Sequence, residues 1–135
     1  MSEQHRLHEV QIEGLGVEPA GAFSVELCDS PDGVAVIALS GELDIAATSS
    51  VRSCVETGVG RRAVVLDLSG ATFVDSSMLK ELLRANSELS RYGTRLVLAG
   101  STPAVQRVLE LTRTTGLFTL ADDRDAALAL VNGSS

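Results

Sequence analysis

The chain has 135 residues, 44% of them hydrophobic and 21% charged, which is globular usage for one domain and excludes wholesale disorder. Lys+Arg number 11 against 18 Asp+Glu, a formal net charge of −7, so nucleic-acid phosphates and anionic membrane surfaces repel it. Aromatic residues are only 3% and Trp is absent, which leaves no stacking platform for single-stranded nucleic acid.

Residues 1–22 read as a flexible leader. Glu3, Glu9, Glu13 and Glu18 outweigh Arg6, and Gly14, Gly16, Pro19 and Gly21 break regular patterning, with room for a short strand near Val10–Ile12. His5 and His8 have no further ligands near them, so no metal is expected. No apolar run approaches the ~18 residues of a membrane span, and no signal-peptide core is visible. A cytoplasmic protein with reduced, structural Cys28 and Cys54 is expected.

The folded domain is expected over 23–135. Phe23–Cys28 alternates as a strand, Ser30-Pro31-Asp32-Gly33 carries turn chemistry, and Val34–Leu39 returns as the second strand of a hairpin. Asp44 is placed to cap a helix over 45–56 whose buried face is Ala47, Val51, Cys54 and Val55, with Gly58 and Gly60 beyond its end. Ala63–Leu68 is almost continuously apolar, as in a strand covered on both faces.

After a loop, Ser76–Arg91 is helical. Leu79, Leu82, Leu83, Asn86 and Leu89 trace one stripe, and Lys80, Glu81, Arg84, Glu88 and Arg91 fall mostly elsewhere. Arg95–Ala99 is another buried strand. Thr102 and Pro103 start a helix reaching about Thr114, Leu117–Leu120 is a short strand or turn, and Asp122 caps a final helix. A hairpin followed by strand–helix alternation predicts one mixed α/β sheet, mostly parallel.

Chemistry is concentrated in one segment. No nucleotide-binding glycine loop is present, and both histidines lie in the leader, away from any serine or cysteine nucleophile, so no cofactor and no enzymatic activity are expected. In Leu66–Leu79 a buried strand runs into a loop, and the loop enters a helix through Asp75-Ser76-Ser77. Asp75 or Ser76 suits an N-cap, which by itself requires no further role. Alternatively Ser76 is an exposed hydroxyl where a phosphate would be tolerated by the fold while adding about two negative charges.

The stretch Ala35–Leu120 resembles the STAS domain of anti-sigma factor antagonists. The likeness rests on three motifs in order: Ser40-Gly41-Glu42-Leu43-Asp44 entering a helix, Leu66-Asp67-Leu68 followed by Phe73-Val74-Asp75-Ser76-Ser77, and Leu96–Gly100 followed by Ser101-Thr102-Pro103-Ala104-Val105. The resemblance implies a STAS fold, a single four- to five-stranded mixed sheet with about four helices mainly on one side. It implies binding to an anti-sigma factor serine kinase, release of the sigma factor, phosphorylation at Ser76 that ends the complex, and a PP2C-type phosphatase that restores it. Asp44, Asp75 and Ser77 would then flank the acceptor and meet the partner. Monomer and weak dimer both remain open.

The family run Asp-Ser-Ser-Gly-Leu-Gly is here Asp75-Ser76-Ser77-Met78-Leu79-Lys80. Losing two glycines firms the helix start by roughly 1 kcal/mol each. Met78 is either a flexible apolar contact for the partner or packed beneath the loop. Lys80 lies one turn after Ser76 and is either a partner for a phosphate or a solvated surface charge. The same departures leave open a STAS scaffold that works without phosphorylation, or a soluble subunit of a larger regulatory or transport assembly. A phosphoacceptor receiver domain using Asp67 is disfavoured, because Asp29 and Asp32 sit in a turn and the only lysine is Lys80.

Overall fold

The computed structural model describes residues 23–29 and 32–132. The leader and its expected short strand lie outside the described residues. One sheet of five strands runs in the order β1-β2-β3-β4-β5. The strands are β1 Phe23–Asp29, β2 Val34–Leu43, β3 Ala63–Val74, β4 Arg95–Ala99 and β5 Thr119–Ala121. β1 pairs antiparallel with β2, and the remaining pairs are parallel. The helices are α1 Thr48–Glu56, α2 Ser76–Arg91, α3 Pro103–Leu111 and α4 Arg124–Val131.

The period-2 alternation of β3 divides the core. Val64, Leu66 and Leu68 point to one face, where Val51 and Cys54 of α1, Met78, Leu82 and Leu89 of α2, and Val105 and Leu109 of α3 pack on them. Ala63 and Val65 point to the other, covered by Ala127 and Val131 of α4. Three helices therefore share one face and the last covers the other, as expected of helices packed mainly on one side. Burial pushes the Cys54 thiol up to about 11, so it behaves as a small apolar core residue.

The sheet is longer than its apolar runs indicate. β2 continues past Leu39 to Leu43, and β3 past Leu68 to Val74, through segments that read as loops. The extension depends on irregular pairing, with register shifts between Ala38 and Ser40 and between Gly41 and Glu42. Gly41 takes φ +87 at the second shift, a conformation glycine adopts without strain. Gly70 lets the strands close in, since a Cβ there would lie 2.6 Å from Ser40 Cβ.

Three boundaries also move. The α3 helix stops at Leu111 instead of reaching Thr114, and the short strand is Thr119–Ala121. Asp123, not Asp122, caps α4, its carboxylate accepting from the Ala126 N–H at 2.8 Å. Adjacent aspartates are equivalent in sequence, and the backbone places only the second one residue before the helix. The Thr102–Pro103 start holds as expected, with Thr102 Oγ1 accepting from Val105 N–H at 3.4 Å.

Candidate functional site

The site is built at the carboxyl ends of two adjacent parallel strands. Leu43 ends β2 opposite Val74, which ends β3. The next residues, Asp44 and Asp75, are therefore neighbours, and the Asp75 N–H donates to the Leu43 carbonyl at 3.3 Å. Each aspartate turns its strand into a helical segment. Asp75 accepts from the Met78 N–H at 2.9 Å and caps α2. Asp44 accepts from the Ala46 N–H at 3.0 Å, but caps a 3-10 turn over Ile45–Ala47; α1 itself starts at Thr48.

Ser76 is the first residue of α2 and is exposed. Ser77 is half-buried, and Lys80 is exposed one turn further along. These residues and the two aspartates form one surface. Met78 does not join it: its side chain is fully buried in the core under α2. As a partner-contacting residue Met78 is thus corrected to a core residue, because the third position of α2 faces the sheet.

Two apolar side chains at this surface were not singled out from the sequence. Ile45, just after Asp44, is 69% exposed, and Phe73, two residues before Asp75, is 47% exposed. The signal for Phe73 lay in broken alternation: Ala71 and Val74 are buried, while Thr72 and Phe73 both face out. Ile45 and Phe73 put exposed apolar area close in sequence to the two capping aspartates.

Under the surface, Glu81 locks the two helices together. It is only 3% exposed, and its carboxylate accepts from Arg52 of α1 at 2.9 Å and from Arg84 of α2 at 2.8 Å. Burial would raise this carboxyl, but the hydrogen bonds and charges of Arg84 and Arg52 outweigh that and hold it below the usual range. The amphipathic pattern placed Glu81 among surface charges, and its two arginines explain how a carboxylate is tolerated inside.

Asp67 serves the opposite face. One oxygen accepts from the Ser69 N–H at 3.0 Å and its hydroxyl at 2.7 Å, and the other accepts from Arg124 Nε at 3.0 Å. Burial opposes ionisation, yet these bonds and the guanidinium charge win and lower its carboxyl. Its carboxylate thus fastens α4 to the sheet. A cleft of about 230 Å³ between α3 and β5 is lined by Ser101, Gln106, Leu109, Glu110, Leu120 and Asp122 among others, and none of the residues around Ser76 reaches it.

The STAS domain family model matches residues 28–127, so the chain belongs to that family, whose fold is the mixed five-stranded sheet with four helices described above. It is 33% identical over 89 residues to the anti-sigma F factor antagonist of Paenibacillus polymyxa, spanning 64% of this chain and 74% of the relative. A crystal structure of an anti-sigma factor antagonist from Mycobacterium paratuberculosis has the same fold, with TM-score 0.72, 28% identity, and 87% of this chain and 100% of that one covered. The anti-sigma factor antagonist SpoIIAA in its unphosphorylated form is also similar, with TM-score 0.69, 25% identity, and 84% and 99% covered.

Proposed function

We propose that this protein is an anti-sigma factor antagonist switched by phosphorylation of Ser76. The bacterial relatives support the antagonist function. The name of one of them, an antagonist in its unphosphorylated form, supports a phosphorylation switch. The observation that carries the reading is the exposed hydroxyl of Ser76 at the first position of α2, directly after the capping Asp75, whose N–H is bonded to the residue before Asp44.

In this reading an anti-sigma factor serine kinase docks over Asp44, Asp75, Ser77 and Lys80, and the unmodified Ser76 lies within the contact. Docking frees the sigma factor. A phosphate on Ser76 would have to be desolvated there and would meet the carboxylates of Asp44 and Asp75. Setting a dianion against like charges in an interface costs several kcal/mol, roughly a hundredfold or more in affinity. The fold need not change, since the acceptor projects outward from a helix anchored below by Met78. A PP2C-type phosphatase then returns the protein to the binding form. The chain itself performs no chemistry in this cycle.

The test is direct. Incubation with the cognate kinase and ATP, followed by peptide mass spectrometry, is expected to place one phosphate on Ser76. Ser76→Glu is expected to keep the circular dichroism spectrum and lose partner binding, while Ser76→Ala binds constitutively. A Ser76→Glu protein with full affinity removes the mechanism.

A further inference from the structure

Lys80 is a cation with no partner among the described residues. The helix α2 carries Lys80, Arg84 and Arg91. Arg84 is paired with Glu81 and Arg91 with Glu88. Lys80 makes no hydrogen bond or ion pair with any of the described residues. Nor does its position offer an acidic neighbour along the helix. Residues three and four away are Ser76, Ser77, Leu83 and Arg84, and none is a carboxylate. Arg84 is a like charge at that spacing, which disfavours Lys80 as the helix stands.

We propose that Lys80 is the intramolecular counter-cation of phosphorylated Ser76, holding the phosphate along the first two turns of α2. The inference rests on the reading of Ser76 as the phosphoacceptor and adds the residue that receives the new charge. Helical side chains lean toward the helix N-terminus, so the Lys80 ammonium reaches back over the turn that carries Ser76. An anion four residues before a lysine is the better of the two orders for such a pair. The other charged groups at these corners are Glu42, in register with Phe73, the Asp44 and Asp75 carboxylates at the strand ends, and Arg52 and Arg84, both already held by Glu81. Lys80 is therefore the cation left to offset the added phosphate. Pairing would draw the phosphate over α2, where it stands in front of the docking surface.

The experiment installs phosphoserine at position 76 during translation, so that no kinase is needed. The phosphate is titrated by phosphorus NMR in the otherwise unchanged protein and in Lys80→Gln and Lys80→Arg variants. The midpoint of the second ionisation is expected about 0.2 to 0.4 pH units lower with Lys80 than with Lys80→Gln. Lys80→Arg is expected to restore most of the shift, and 1 M salt to abolish it. Equal midpoints with Lys80 and with Lys80→Gln, or a difference indifferent to salt, overturn the pairing. A kinase reaction that leaves Ser76 unmodified would instead refute the phosphoacceptor reading, while the titration still decides the pairing.

Discussion

Asp44 and Asp75 hold equivalent places: each is the first residue beyond one of two paired parallel strands, and each uses its carboxylate to cap the helical segment that follows. The docking surface proposed around Ser76 is in effect two strand-to-helix corners set side by side, joined by the bond from the Asp75 N–H to the Leu43 carbonyl.

Asp75 has a capping role that can be separated from its charge. Asp75→Ala is expected to destabilise the protein by about 1 kcal/mol, within the ~0.5–2 kcal/mol seen for lost N-caps. Asp75→Asn, which keeps the acceptor and removes the charge, is expected to retain most of that stability. Urea denaturation midpoints of the three proteins check it; equal losses for both variants would rule out the cap as the cause.

Met78 belongs to the core, so its truncation should act on folding. Met78→Ala is expected to cost about 2–5 kcal/mol, and Met78→Leu less than about 1.5 kcal/mol with binding intact. Thermal unfolding alongside partner titration distinguishes this from a surface role. A Met78→Ala protein of normal stability with lost binding would contradict the packing described here.

Ile45 and Phe73 should behave in the opposite way. Replacing either with serine removes exposed apolar area, and surface changes of this kind usually move stability by less than about 0.5 kcal/mol. Docking to the partner should weaken about tenfold or more for Phe73→Ser, as when an aromatic anchor is removed from an interface. Calorimetric titration against the partner reads the effect, and unchanged affinity in both variants would place the contact elsewhere.

Acid should unfold the protein partly through Glu81 and Asp67. Both carboxyls are held below their ordinary values in the folded state. The unfolded chain therefore binds more protons in acid. Their stabilisation is complete above the unfolded carboxylate range, about pH 4–5, and is lost as the pH falls through the lowered folded values. The paired change Asp67→Asn with Glu81→Gln is expected to lower Tm at pH 7 and to flatten its decline between pH 5 and 3. A decline as steep as in the unaltered protein would show that other groups govern it.

Much of this molecule was legible in local patterns. The apolar run Ala63–Leu68, the stripe on Ser76–Arg91 and the Thr102–Pro103 start all describe interactions between near neighbours in sequence. The α2 cap was narrowed to Asp75 or Ser76 for the same reason, and it is Asp75. What stayed hidden depended on distant partners. Glu81 looks like a surface charge until Arg52, 29 residues earlier, is brought against it. Ser40-Gly41 and Ser69-Gly70 look like turns, yet they are strand, because Gly70 lets β3 pass close to Ser40. The inward turn of Met78 and the outward turn of Phe73 follow from where α2 and β3 sit over the sheet, which no spacing rule states.

Within three consecutive residues, α2 sends one side chain to solvent and another into the interior: Ser76 outward and Met78 inward. Under the switch proposed for Ser76, regulation and architecture are wired in parallel. Charge would be added to and removed from the surface, cycle after cycle, while the scaffold beneath keeps no memory of the change.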